Sequence, residues 1–304
     1  IRRPPRSTLS PSSAASDVYK RQEIELAVPN KGRLREPTMD MLRKAGIIPI
    51  DLDEQALYAR TVDPEIRLVF VRAADVPKFV EEGVADLGIT GYDFVVDSGA
   101  NVEELLDLRY GSAKIVVAVP ESSGIASVDD IPEGAKVATK LVNIAKKFFD
   151  ERRKQVEVIR ISGAAEIMPH LGVSQVVVDV MSTGATLKTH GLRVIDVIME
   201  TSARLVGNRK SISQKRAKVR EIVTAIESVM RAQGKKLIMM NVPQEVLSIV
   251  TMILPAMAGP TVAKVEAPEP MWEVYSVVDE DEVFRVISAV KKAGARDILV
   301  IPIE

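Results

Sequence analysis

From residue 23 onward the sequence alternates short aliphatic runs with stretches whose apolar residues recur at helical spacing, and this alternation admits few architectures. Strand-like 24–28, helical 34–45 closed by Gly46, strand-like 66–71 and helical 76–82 closed by Gly83 lead to a further strand edge at Ile89 and Thr90. Strands that alternate with helices imply a parallel, helix-covered sheet. Pro37 and Pro77 fit, because each falls in the first turn of its helix, where a missing N–H is harmless. A second unit of the same kind opens at Lys114, with strands 115–119, 136–139, 156–161 and 176–179 and helices 141–151 and 164–171. Stretch 192–199 reads as the strand returning to the first unit. Two crossovers, near 109–113 and 191–193, then predict a two-lobed clamshell, with lobe I at 23–113 and 193–232 and lobe II at 114–192.

A helix at 211–232, with Val219, Ile222, Val223, Ile226 and Val229 at helical spacing, leads past Gly234 to a third unit at 233–304. Its strand 237–241, helix 244–253, strands 261–265 and 273–278, helix 282–293 and strand 298–301 give the order βαββαβ of a ferredoxin-like module. Residues 1–22 hold three Pro, five Ser and four Arg with almost no apolar pattern, and disorder is expected there. The segment reads as a leader foreign to the folded part.

The chemistry concentrates at residues 175–187. The run Val176-Val177-Val178 reads as a buried strand delivering Asp179, and Ser182, Thr183, Gly184, Ala185 and Thr186 turn the chain into the next element. Small side chains let backbone N–H groups converge on an anion, the following helix adds its positive end, and three hydroxyls add donors. Asp179 cannot bind phosphate. It suits sugar hydroxyls, or a Mg²⁺ that itself sits on phosphate oxygens, so the pair asks for a phosphorylated sugar. An ordinary strand-to-helix turn with a Ser or Thr cap is the structural alternative.

Composition narrows the class. Net charge is −1, from 41 basic and 42 acidic residues, so no global field draws nucleic acid or an anionic membrane. No cysteine means no thiolate metal site or cysteine nucleophile, and His170 and His190 are too few for a histidine metal cluster. No apolar run approaches the roughly 20 residues of a membrane span. A cytoplasmic enzyme is expected.

Four stretches in order, 27–34 (AVPNKGRL), 72–75 (RAAD), 86–93 (DLGITGYD) and 179–187 (DVMSTGATL), resemble the ATP phosphoribosyltransferase family, and the likeness runs from about residue 23 to 304. The last resembles the loop that holds 5-phosphoribosyl-1-pyrophosphate (PRPP). Only one acid precedes it, where nucleotide-salvage enzymes usually have two. The resemblance implies an α/β fold: a catalytic core of two type II periplasmic-binding-protein-like lobes, and an ACT-like regulatory domain in the third unit. It implies condensation of ATP, through adenine N1, with PRPP, releasing pyrophosphate at the first step of histidine biosynthesis.

By the same resemblance, Asp179 and Glu166 are the catalytic candidates. Asp179, Ser182, Thr183, Gly184, Ala185 and Thr186 would bind PRPP, and Asp179 would hold Mg²⁺. Lys31, Arg33, Arg72, Tyr92 and Asp93 would meet ATP, with Tyr92 expected to pack rather than stack. Asn241, Met257, Thr261 and Ala295 would lie near histidine, the feedback inhibitor. Dimers assembling to a hexamer are implied, with no nucleic-acid or membrane partner. Prephenate dehydratase also joins two such lobes to an ACT domain, but its Thr-Arg-Phe motif is absent. A non-catalytic ligand-binding clamshell would share the fold and do no chemistry.

Overall fold

The computed structural model describes residues 23–50, 56–255 and 259–303, so the expected leader at 1–22 lies outside the described residues. Two compact units are present, one running through Val223 and one from Thr224.

The first unit opens with β1 (Ile24–Pro29), α1 (Arg35–Lys44), β2 (Tyr58–Arg60), β3 (Ile66–Val71), α2 (Val76–Glu81), β4 (Leu87–Gly91), α3 (Tyr92–Ser98) and β5 (Glu103–Asp107). It continues through β6 (Ala113–Pro120), β7 (Ala135–Thr139), α4 (Val142–Glu151), β8 (Val156–Arg160), β9 (Val176–Met181), α5 (Ala185–Thr189) and β10 (Leu192–Thr201). Then come β11 (Ala203–Gly207), α6 (Arg209–Gln214) and α7 (Arg216–Ala232), within which the division between the units falls. Two sheets result, ordered β2-β3-β1-β4-β11-β5 and β10-β6-β9-β7-β8. Each holds a parallel trio with its first strand in the middle, β3-β1-β4 and β8-β7-β9. That is the doubly wound 2-1-3 order, with strand carboxyl ends on one edge. An antiparallel neighbour, β11 or β6, follows each trio. This is the α/β, two-lobed, type II periplasmic-binding-protein-like core.

Burial on both faces explains the unbroken valine run of β9. Val176 and Val178 join Ile144, Phe148 and Phe149 of α4 on one face. Val177 joins Val116, Ala165, Leu187 and Leu192 on the other. The lobes are also joined directly. The Asp97 carboxylate of α3 accepts from the backbone N–H groups of Asn143 and Ile144 at 2.8 and 3.0 Å, capping lobe II's α4 from lobe I. Phe94 of α3 packs against the lobe II core.

Stretch 192–199 does not return to lobe I. It lies in β10, which pairs antiparallel with β6 from Leu192 opposite Pro120 to Thr201 opposite Ala113, with register shifts between Val194 and Asp196 and between Val197 and Met199. The returning strand is β11, paired with β4 and β5, so the second crossover falls at Ser202. Aliphatic content marks a strand but not the sheet it joins, whereas Arg193, Asp196 and Glu200 mark an edge. The expected helix 164–171 is a single 3₁₀ turn, Ala165–Ile167, entered through Ala164 at φ 52°. Helix 211–232 is broken at Lys215, and its first piece is capped by Asn208, whose Oδ1 accepts from the N–H groups of Lys210 and Ser211.

The second unit contains β12 (Lys235–Pro243), α8 (Leu247–Ile253), β13 (Thr261–Val265), β14 (Met271–Asp279), α9 (Val283–Lys292) and β15 (Arg296–Pro302). All pairings are antiparallel in the order β13-β14-β12-β15, the ferredoxin-like arrangement of ACT-like domains. Ile238, Met240, Val242, Val274 and Val278 face the helices and meet Val250, Val286 and Val290. No helix among the described residues is long and apolar enough to cross a membrane.

Candidate active site

β9 runs between β6 and β7 and carries Asp179 one residue past its buried valines, opposite Val116. The Asp179 Oδ1 accepts from the Val180 N–H at 2.7 Å, and the Lys140 ammonium stands 3.3 Å away. After Met181 the chain turns through Ser182 and Thr183, both exposed, to Gly184 at φ 78°, a left-handed conformation that glycine adopts without steric cost. There α5 begins. The Ala185 N–H leans on Thr183 Oγ1 at 3.4 Å, and the Thr189 hydroxyl donates to the Ala185 carbonyl. Buried Leu187 pulls α5 onto the same cluster as Ala165, and that shared packing brings Glu166, the neighbour of Ala165, to the loop.

A cavity of about 150 Å³ results, lined by Glu166, Asp179, Ser182, Thr183, Gly184 and Thr186 with Val180, Met181 and Leu187. Of the six residues expected to bind PRPP, only Ala185 does not line it. Two carboxylates together with hydroxyls and small-residue backbone suit a sugar phosphate. No group of three or more metal-ligating side chains occurs among the described residues. His190 follows α5 at its negative end, and its carbonyl accepts from His170 Nε2 at 2.7 Å, which gives the His170 ring a structural partner.

In lobe I the candidate nucleotide residues collect at the carboxyl ends of β3, β1 and β4. Lys31, Arg33 and Arg72 are exposed there. Gly32, at φ 84°, makes the turn between the first two. Arg33 Nη1 donates to the Gly111 carbonyl in the crossover, and its Nη2 lies 3.9 Å from Asp93 Oδ1. Next to Gly111, the Tyr110 hydroxyl meets Thr38 Oγ1 at 2.7 Å. Burial pushes that phenol above its ordinary range and keeps it neutral.

Asp93 departs from expectation. It is 0% exposed, so it offers no surface to a nucleotide. Its Oδ1 accepts the Thr201 hydroxyl at 2.8 Å, its backbone N–H donates back to that oxygen at 3.0 Å, and its Oδ2 has no protein partner. It anchors Arg33 and the hinge. The Tyr92 ring lies under the Arg204 guanidinium, 4.8 Å from its centroid. Arg204 is itself held by Glu104 and Asp107. Lys140, Thr201 and Arg204 were not singled out from sequence. Only the strand order, which sets Lys140 beside Asp179, signals the first; Thr201 and Asp93 are 108 positions apart.

In the second unit, the Asn241 amide donates to Asp297 at 3.0 Å. Thr261 pairs with Tyr275, which pairs with Met239, so Thr261 shares the helix-free face with Asn241 but stands two strands away. Strand spacing puts their backbones about 12 Å apart on that face. Ala295 is 2% exposed and packs in the helix-side core, a correction of the expected contact, and Met257 lies outside the described residues.

Comparison with known proteins gives the same answer from a different direction. Residues 72–228 match the family model described as ATP phosphoribosyltransferase, and residues 232–304 match "HisG, C-terminal domain". An ATP phosphoribosyltransferase of Ignicoccus hospitalis is 48% identical over 281 residues, covering 92% of this chain and 99% of the relative. One of Methanopyrus kandleri is 49% identical, covering 92% and 98%. Among solved structures, the ATP phosphoribosyl transferase (HisG:HisZ) complex from Thermotoga maritima superposes with a TM-score of 0.61 at 30% identity. That match covers 68% of this chain and 98% of the other, so the rest of this chain extends beyond it. With identity of this order over nearly the whole length, this chain belongs to the ATP phosphoribosyltransferase family and is a phosphoribosyltransferase enzyme.

Proposed function

We propose that the chain joins adenine N1 of ATP to C1 of PRPP, and that the carboxylate-and-hydroxyl cavity at the end of β9 is the PRPP cradle. The cavity itself is the observation that carries this reading: its lining combines carboxylates that suit sugar hydroxyls with hydroxyls and small-residue backbone that suit a phosphate. The loop 182–186 takes the 5′-phosphate, and Asp179 and Glu166 take the ribose hydroxyls. Lys31, Arg33 and Arg72 receive the ATP phosphates, with Asp93 behind Arg33 and Tyr92 packed under Arg204. As the N1–C1 bond forms, the C1–O bond breaks and its electron pair leaves with pyrophosphate, so the work is positioning and charge dispersal rather than side-chain nucleophilic attack.

Mg²⁺ suits the donors present, because it takes one or two carboxylates and completes its shell with substrate phosphates and water. Asp179 and Glu166 would hold it, and when bound it spreads charge from the departing pyrophosphate. The assigned roles are catalysis for the two lobes and regulation by histidine for the second unit, in a cytoplasmic enzyme. Asn241 and Thr261 share the helix-free face of the second unit's sheet, where histidine would sit between paired copies, in dimers that build a hexamer. The Thermotoga maritima relative, itself solved as a complex, supports assembly in this family.

The test is pyrophosphate release from PRPP plus ATP with Mg²⁺, which a binding clamshell would not produce. Histidine titration of the full chain and of a chain ending at Arg231 tests regulation. Equal inhibition of both removes the sensor role.

A further inference from the structure

The cradle contains an electrostatic contradiction. Its charged walls are Glu166 and Asp179, both acidic, and no cation lines it. Its intended ligand is a polyanion. At the start of α4, which follows Lys140, the N–H groups of Asn143 and Ile144 are already taken by Asp97. What the fold does supply is Lys140. It follows Thr139, the last residue of β7, which pairs with Val178 of β9, so Lys140 emerges beside Asp179.

Its backbone is fixed. Thr139 is fully buried, and its hydroxyl accepts from the Leu141 N–H at 2.9 Å, pinning the turn around Lys140. Its side chain is 39% exposed and reaches Asp179, which is 18% exposed, at 3.3 Å. Lys140 does not line the cavity, whereas Asp179 does, so the ammonium meets the cavity's rim through the Asp179 carboxylate. A sugar seated with its 5′-phosphate in the loop and its hydroxyls on Asp179 points its C1 substituent away from the loop, toward the Lys140 side.

We propose that Lys140 is the cation of this site for the diphosphate of the donor, resting on Asp179 when the site is empty and moving onto diphosphate oxygens when it fills. The assignment rests on the cradle reading above. A part-exposed lysine–aspartate pair is weak, so little opposes the transfer, while a diphosphate offers a denser negative charge. In the empty state the pair also neutralises one of the two acids, lowering repulsion of an arriving anion.

Calorimetry on the full chain, without divalent metal, with inorganic pyrophosphate and separately with ribose 5-phosphate, tests this. Lys140→Met should weaken pyrophosphate binding about tenfold or more, the loss typical of a charge-assisted contact, and leave ribose 5-phosphate within about twofold. Lys140→Arg should restore most of the loss, and both variants should melt with the wild type. Unchanged pyrophosphate binding with ribose 5-phosphate still bound overturns the role of Lys140 alone, and shows that pyrophosphate binds elsewhere, for example at Lys31 and Arg33. Equal loss of both ligands also overturns it, since it would mean a general distortion. A wild-type chain that takes up no ribose 5-phosphate removes the cradle reading, and Lys140 with it.

Discussion

The cap that Asp97 places on α4 makes a sharp test of how the lobes are joined. Its carboxylate satisfies two N–H groups of a helix in the other lobe, and Asn143 Nδ2 donates in return to the Asp97 carbonyl at 2.7 Å. Asp97→Ala removes the two charge-assisted bonds and leaves the third, which uses the backbone. Loss of a cap costs roughly 0.5–2 kcal/mol, and loss of a negative charge at a helix N-terminus about 0.3–1 kcal/mol at a partly exposed position. Together about 1.5 kcal/mol is expected for Asp97→Ala. Asp97→Asn, which keeps an acceptor, should cost about 0.5 kcal/mol. In a unit of about 200 residues the alanine variant should then melt some 3–6 °C lower. Hydrogen exchange at the amides of Asn143 and Ile144 should speed up in the alanine variant before the rest of α4 does. If Asp97→Ala melts within 1 °C of the wild type and those amides stay protected, the cap does not hold the lobes and the reasoning fails.

Three further outcomes follow from the geometry. Thr183→Val and Thr186→Val should each raise the KM for PRPP about tenfold or more, since a hydrogen bond to a charged partner contributes roughly 1.5–3 kcal/mol, with the KM for ATP nearly unchanged; equal shifts in both would refute the loop's role. Gly91→Ala should destabilise by about 1–3 kcal/mol, because a β-carbon there collides with the buried Asp93 carboxylate, and urea midpoints would measure it. Lys218 holds Asp63, Glu65 and Glu221, and although burial opposes it, the Lys218 hydrogen bond lowers the Asp63 carboxyl below its ordinary value. A depressed carboxyl stabilises above its unfolded pKa of about 3.9, and that share is lost as pH falls through the folded value. The stability gap between wild type and Lys218→Met should therefore be widest near neutral pH and shrink below about pH 4, and a gap independent of pH would refute it.

The parts of the fold that sequence made legible are those in which local chemistry and tertiary role coincide. The valines of β9 are buried on both faces, and an unbroken β-branched run says so directly. The loop 182–186 needs a left-handed residue, and glycine stands there. Strand β5, Glu-Glu-Leu-Leu-Asp, escaped because its charges mask the alternation of a sheet edge. The buried place of Asp93 was illegible for another reason. An aspartate earns burial through its partner, and Thr201 arrives from the far end of lobe II. Lys140 is a lone lysine after a strand, and only the parallel pairing of β7 with β9 gives it meaning. Glu166 was read near the site but on a helix, because alanines promote helix and nothing local announces that Ala164 turns left-handed.

The two register shifts of β10 bear on how such a molecule survives at high concentration. β10 is the outer strand of the lobe II sheet, where a straight strand would present an open row of backbone donors and acceptors to any passing extended chain. Each shift leaves a residue out of step with β6 and increases the local twist, so no long flat template remains for another strand to dock along. The irregularities thus act against fibre growth and against exchange of strands between neighbours along this edge, whereas β13, an outer strand of the second unit, keeps an unbroken register with β14 and is a place where a ladder could continue from one copy to the next.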